Sequence, residues 1–381
     1  MRISKTRNFL LLSACLVIII GCRKDEPVVE IPSPESVLPQ LPESLFPYSE
    51  LEFPESWLTD PALQLFGGFG SDLEVTDEGA TLGRVLFYDP SLSLDGTVSC
   101  ATCHQQSHAF SDPVARSTGV SGIPTHRNAM ALFNFRYQRR LFWDLRTVGL
   151  ENQVLQPIEH PDEMAMDLTE LPEKLGQREY YPALFEQAFG DQQVTNERIA
   201  NALAQFLMCF QSHASRFDAG LENEFADFTP SEEWGRQIFF NGQTRCNQCH
   251  SGKNLFSTQP FVNGLEMDYA ASGDGGIGEL SGDPFDDGRF KTVSLRNIGL
   301  TAPYMHDGRF ATLRDVVDFY SDNIEPHPFL DERLGVNGFG SPGQAPYQLN
   351  LTEEERVALV DFMETFNDTV MVHAEWLSDP F

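Results

Sequence analysis

The sequence predicts an all-α protein of two similar halves, on three observations. The run Cys100-Ala101-Thr102-Cys103-His104 has a second copy in Cys246-Asn247-Gln248-Cys249-His250. Each copy follows a segment with helical apolar spacing and precedes a long segment able to supply further ligands. A chain of 381 residues is too long for one small domain built on such a run and comfortable for two.

A Cys-x-x-Cys-His run is the attachment sequence of a c-type haem: two thiols bond the porphyrin vinyl groups and the adjoining histidine ligates the iron. Cys100, Cys103 and His104 are therefore assigned to one haem, and Cys246, Cys249 and His250 to a second. The alternative for four cysteines is a structural zinc site. Two pairs far apart in the chain, each with histidine directly after it, argue against zinc. Of the seven cysteines, Cys15 and Cys22 fall in an export signal, and Cys209 reads as a core thiol in an apolar helical stretch, so no disulfide framework is expected. With 41% hydrophobic and 22% charged residues, each half can bury a core.

Residues 1–21 read as a lipoprotein signal peptide. Arg2, Lys5 and Arg7 form a basic start, Asn8–Ile20 is an apolar core too short to span a bilayer, and Ile19-Ile20-Gly21-Cys22 resembles a lipobox. Cys15 fits the same pattern less well, because the apolar segment before it is very short. The expected location is periplasmic, lipid-anchored to a bacterial membrane through Cys22, and Arg23-Lys24-Asp25-Glu26 leaves surface display open. A net charge of −30 excludes nucleic acid as a partner and discourages adhesion to anionic lipid. It suits a basic electron-donor protein, and equally an acidic surface with no particular partner. Residues 22–55, rich in Pro and Glu without periodicity, read as an extended tether.

The N-terminal haem half is placed at 56–222. Thr76–Tyr88, with Leu82, Val85 and Leu86 at helical spacing, is expected to be a helix that Asp89-Pro90 ends before the first haem run. Thr195–Asp218 is expected to be one long helix linking the halves, with Ile199, Leu203, Phe206, Leu207 and Phe210 on one face. The C-terminal haem half is placed at 223–381. Phe228-Thr229-Pro230-Ser231-Glu232-Glu233 is a helix start that leads through Ile238 and Phe239 to the second haem run. Residues 273–288, rich in Gly and Asp, read as a surface loop; acidic turns can hold calcium, but no EF-hand spacing is present. Thr352–Phe366 is a closing helix with Val357, Leu359, Val360 and Met363 inward.

Leu86-Phe87-Tyr88-Asp89-Pro90, then Asp95-Gly96-Thr97-Val98-Ser99-Cys100, then Leu141-Phe142-Trp143-Asp144 resemble, in order and spacing, the bacterial di-haem cytochrome c peroxidase and MauG-like family. The resemblance runs from about Leu82 to Tyr320. It implies two mostly helical cytochrome c-like domains, each with one covalently bound c-type haem, and a calcium ion between them. It makes His104 the proximal ligand of the peroxidatic haem, places Trp143 between the haems, and turns Gln153 and Glu163 toward the peroxide pocket. The chemistry agrees with such a pocket. Cleaving hydrogen peroxide needs a group that takes a proton from the inner oxygen and returns it to the departing one, and a carboxylate over an open iron can do both. Many members also carry a loop histidine that caps the resting peroxidatic haem. Val120 stands at that place, which implies a haem already open and high-spin in the resting ferric protein, with His108 and His126 the nearest substitutes.

His250 is the implied proximal ligand of the second haem. Its opposite ligand is methionine in many peroxidases and tyrosine in MauG-like members; the position holds Tyr320, and Met305 and His306 compete with it. The implied calcium ligands are Asn128 and the backbone oxygens of Thr301 and Pro303. The implied function is reduction of hydrogen peroxide to water with electrons from a small c-type cytochrome or similar donor. A rival enzyme is a MauG-like oxidase acting through a high-valent state on a protein or small molecule. Against it, Thr244 stands where MauG carries a tryptophan two residues before its second haem run. A rival of another class is a non-catalytic di-haem electron carrier, which needs both irons permanently six-coordinate. The family often forms dimers, so a homodimer is compatible with the sequence.

Overall fold

Threonine hydroxyls fix where most of the longer helices begin. The computed structural model describes residues 37–60, 63, 73–337 and 345–381; the expected signal peptide, Cys22 and the first part of the tether lie outside the described residues. Seven helices of eight or more residues occur among the described residues: α1 (Asp77–Tyr88), α2 (Tyr181–Phe189), α3 (Asn196–Met208), α4 (Arg216–Asn223), α5 (Pro230–Phe240), α6 (Leu313–Asp322) and α7 (Glu353–Glu364). Thr76, Thr195, Thr229, Thr312 and Thr352 each accept a hydrogen bond from an N–H in the first turn of α1, α3, α5, α6 and α7. Such a cap satisfies one of the donors a helix start leaves orphaned and is worth about 1 kcal/mol. Among the described residues strands are confined to two short antiparallel ladders, β1 (Arg140–Leu141) with β2 (Thr147–Val148) and β3 (Pro260–Phe261) with β4 (Phe290–Lys291). No helix among the described residues is long and apolar enough to cross a membrane.

Two helix crossings repeat one design. In the first, Gly83 of α1 lies against α3 so closely that a Cβ there would sit 2.0 Å from the Ala202 carbonyl oxygen and 2.7 Å from Phe206 Cβ. In the second, Gly235 of α5 meets α7, and the same atom would sit 1.9 Å from the Ala358 oxygen and 2.7 Å from Phe362 Cβ. One turn beyond each glycine a phenylalanine packs on the partner helix: Phe87 on Phe206 at 5.6 Å and Phe239 on Phe362 at 5.5 Å between ring centres. Phe206 then meets Phe210, and Phe362 meets Phe366, both at 4.9 Å. These rings are the centres of the two largest apolar clusters. The helix that delivers each haem run is thereby clamped to the helix that closes the same cluster.

Three expectations need correction. The segment 195–218 is two helices, because its middle backbone is taken by distant partners. The Phe210 carbonyl accepts from Asn134 N–H, Ser212 N–H donates to Asn134 Oδ1, and the N–H groups of His213 and Ala214 both donate to Asp368 Oδ2. Ser215 and Asp218 then cap α4 reciprocally. In α7 the buried face is Ala358, Leu359, Phe362 and Met363, while Val357 is 44% exposed, one helical step off the stripe. The stretch from Gln40 to residue 55, read as tether, is attached to the body: Gln40 N–H donates to the Pro380 carbonyl, and Tyr48 and Phe53 are buried.

Residues 38–381 form one compact unit. Its C-terminal end packs on the first cluster, into which Met371, Val372, Ala374 and Leu377 are buried. Arg84 Nε donates to the Ser378 carbonyl and Tyr88 OH to the Leu377 carbonyl, each at 2.6 Å.

Candidate active site

The first Cys-x-x-Cys-His run is a single helical turn, Cys100–Cys103, opened by a reciprocal cap between Ser99 and Thr102. Three residues apart on a helix share a face, so both thiols turn to one side. His104 leaves the turn, and its Nδ1 lies 2.9 Å from the Phe110 carbonyl, the chain having doubled back through Ala109 and Phe110 at φ 50° and 58°. The second run is a 3-10 turn, Cys246–Gln248. There Leu255, at φ 49°, brings its carbonyl to 3.2 Å from His250 Nδ1. In both, an Nδ1–H donated to a main-chain oxygen fixes the tautomer that leaves Nε2 free for a metal. Burial keeps both imidazoles neutral, pulling His104 below the usual range and His250 to about 4. It also pushes the Cys100 thiol up to about 12 and Cys103 and Cys249 to about 11. Two thiols and an oriented imidazole on one apolar cavity are the donor set a thioether-linked haem requires, and the residues fit it twice.

The cavity at the first run, about 70 Å³, is lined by Cys100, Cys103 and His104 and also by Gln153, Pro157 and Glu163. No histidine other than His104 lines it among the described residues. His126 turns instead to Asp274, 3.5 Å away, and His108 Nδ1 lies 3.0 Å from Ser107 Oγ. Val120 N–H donates to the Glu163 carbonyl at 2.8 Å. Gly119 lies so close that a Cβ would come within 2.3 Å of the carbonyl oxygens of Asp162 and Glu163. This loop therefore braces the segment that carries Glu163. Burial raises the Glu163 carboxyl above its ordinary 4.5, and His160 and Arg146 partly offset that rise.

The larger cavity, about 280 Å³, gathers Cys246, Cys249 and His250 with Trp143, Tyr320 and Met305. Asn128, Thr301 and Pro303 lie on the same wall. Trp143 lines this cavity and not the smaller one; its Nε1–H donates to the Asn128 carbonyl at 2.9 Å. Asn263 Nδ2 lies 3.4 Å from Tyr320 OH and 3.9 Å from Met305 Sδ, so both candidate ligands share one neighbour. Burial pushes the Tyr320 hydroxyl up to about 12, which keeps it protonated at neutral pH unless a metal ion displaces the proton. His306, also on this wall, is stacked on Phe290 with ring centres 3.9 Å apart. Sequence reasoning missed Asn263, Gln138 and Lys291, which carry no local motif.

The stretch 273–288 is less open than a surface loop. Asp274 is buried and held by Arg127 Nε and Nη2 at 2.8 and 2.7 Å, and Ile277–Ser281 is a helical turn. His126, Asp274 and Glu279 bring ligand-type atoms within 4.8 Å of one another. Arg127, however, already bonds both carboxylates.

Two such donor sets in a mostly helical chain are what a di-haem c-type cytochrome requires. A match to the family described as di-haem cytochrome c peroxidase covers residues 77–226. The methylamine utilization protein MauG of Methylorubrum extorquens is 33% identical over 294 residues, covering 76% of this chain and 78% of that protein. Cytochrome c551 peroxidase of Nitrosomonas europaea is 34% identical over 241 residues, covering 63% of this chain and 71% of that one. A crystal structure of a MauG-like protein associated with microbial copper homeostasis aligns with a TM-score of 0.71 at 30% identity, covering 81% of this chain and 95% of that one. The chain belongs to the di-haem cytochrome c peroxidase and MauG family, and it is a haem-dependent oxidoreductase. That membership implies two haems.

Proposed function

We propose that this protein reduces hydrogen peroxide to water with electrons from a small c-type cytochrome, and that it does so without prior reduction. The observation that carries the reading is the smaller cavity: Glu163 and Gln153 line it together with His104, and among the described residues no second histidine lines it to cap an iron. Cys100, Cys103 and His104 would hold a haem there, and that haem would supply a redox-active iron for peroxide chemistry. Glu163 accepts the proton of the inner peroxide oxygen and returns it to the departing oxygen, while the Gln153 amide orients the substrate. Two electrons and two further protons complete the conversion of one peroxide to two waters. Trp143, on the wall of the second cavity, is the aromatic bridge for those electrons.

The same reading takes 56–222 and 223–381 as the two haem domains, with export to the periplasm and lipidation at Cys22. It also gives a calcium ion to Asn128 and the carbonyls of Thr301 and Pro303. Asn128 Nδ2 donates to the carbonyls of Val114 and Ala115, both at 3.2 Å, which leaves its Oδ1 available to a hard cation. Tyr320, which lines the same cavity as His250, would supply the second protein ligand to the second haem's iron, with Met305 the alternative. Tyr320→Phe is expected to change the ferric spectrum of the second haem and raise its potential, and Met305→Leu to leave both in place; the reverse pattern assigns the ligand to Met305.

Tyr320 also supports a second reading, a MauG-like oxidase that stores oxidising equivalents. Thr244 gives that reading no aromatic relay: its hydroxyl is tied to the Ile238 carbonyl at 2.5 Å. Stopped-flow mixing of the ferric protein with peroxide, with and without reduced cytochrome c, separates the two. A fast Soret change followed by cytochrome oxidation is expected. A change that persists and ignores the cytochrome selects the oxidase, and no change at all points to an electron carrier or to a capped haem that needs reduction first.

A further inference from the structure

Four lysine and arginine side chains line the larger cavity: Arg245, Lys291, Arg296 and Arg333. Two of them are paired with carboxylates, and the third, Arg245, is only partly buried. Arg296 holds Asp218 through two bonds of 2.8 and 2.6 Å, and Arg333 holds Asp331 through bonds of 2.6 and 2.8 Å. Arg245 donates to the carbonyls of Arg333 and Gly335 and lies over the Tyr347 ring.

Lys291 is different. It is only 8% exposed, and its ammonium donates to Gln138 Oε1, a neutral acceptor, at 2.6 Å. No carboxylate pairs with it among the described residues, and burial alone pulls it from the ordinary 10.5 to about 8. Burying an ammonium without an anion carries a desolvation cost that a neutral acceptor only partly offsets. The chain has 56 acidic residues against 26 basic ones, so a carboxylate partner was abundant, yet none is placed here. The position is also firmly held. Gln138 Nε2 donates to the Phe133 carbonyl and Lys291 N–H to the Trp143 carbonyl, each at 2.7 Å, which anchors the ammonium on the cavity wall.

We propose that Lys291 is the internal counter-ion of the haem attached at Cys246 and Cys249, pairing its ammonium with one of the two propionate carboxylates. This rests on the reading that the second run carries a haem, and is independent of whether the enzyme is a peroxidase or an oxidase. A propionate entering an apolar cavity needs a charged donor as much as the buried ammonium needs an anion, and each removes the other's desolvation cost.

The test uses the loaded protein, with haem per chain counted first; fewer than two haems in the unaltered protein sinks the di-haem reading itself. In loaded Lys291→Met, the midpoint potential of the second haem is expected to shift negative, because a lost positive charge favours the ferric form. The first haem's potential is expected to stay in place. The propionate bending band in the resonance Raman spectrum is expected to move as well, which loss of packing alone does not predict. Lys291→Arg is expected to restore most of the potential. Should Lys291→Met not accumulate, Lys291→Gln keeps a polar tip against Gln138 and gives the same comparison. An unchanged second potential in the neutral variant, or equal shifts at both haems, overturns the proposal.

Discussion

Replacing Glu163 with glutamine is expected to slow peroxide consumption by about 10²- to 10⁴-fold, the usual loss when a positioned acid–base group is removed, with both haems still attached. The carboxyl must be ionised to take the first proton, and burial holds it above its ordinary 4.5. Activity should therefore fall as pH drops through that raised value, and the acid limb should be absent from the variant. Stability should move the other way. A carboxyl whose pKa is raised by folding costs stability once pH exceeds that value, so Glu163→Gln should unfold no earlier than the parent at neutral pH. A variant that keeps the parental rate and pH profile would falsify the assignment of Glu163 as proton carrier. Loss of both activity and thermal stability would instead make it a structural residue.

The second large effect is on the fold. Gly83→Ala and Gly235→Ala should each destabilise the protein by about 2 kcal/mol, an overpacking cost of up to about 3 offset by the roughly 1 that alanine gains over glycine in a helix. The obstacle is a backbone carbonyl in both cases, which cannot rotate away as a side chain would. Because each glycine lies on the helix that leads to a haem run, the same variants should retain less haem. Gly242→Ala is the control, since a Cβ there meets nothing within 4 Å, and its melting temperature should match the parent. If all three variants melt together, the crossings are looser than the helix separations indicate.

The shared design of those crossings was legible in the chain. Gly83 and Phe87 answer Ala202, Phe206 and Phe210 at four-residue steps, and Gly235 and Phe239 answer Ala358, Phe362 and Phe366 in the same way. Reading helices one at a time hides it, because the pattern lies between segments more than a hundred residues apart. Local signals were read more easily. Thr76, Thr195, Thr229 and Thr352 announce helix starts because a cap needs only the first turn that follows it.

What the sequence by itself determined is the chemistry that neighbours in the chain can specify: two thiol pairs with adjoining histidines, the caps, and the helices leading to each haem run. What only the tertiary structure decided depends on distant partners. Asn134 and Asp368 break the segment 195–218, a choice its own periodicity does not contain. The packing of Met371 to Leu377 on the first apolar cluster follows from Tyr88 and Arg84, far back in the chain. Trp143 lines the larger cavity, while Gln153 and Glu163, shortly after it in sequence, line the smaller. Lys291 is the sharpest case: nothing next to it in sequence shows that its ammonium is buried without a carboxylate, because burial and pairing are set by what the rest of the chain brings into contact.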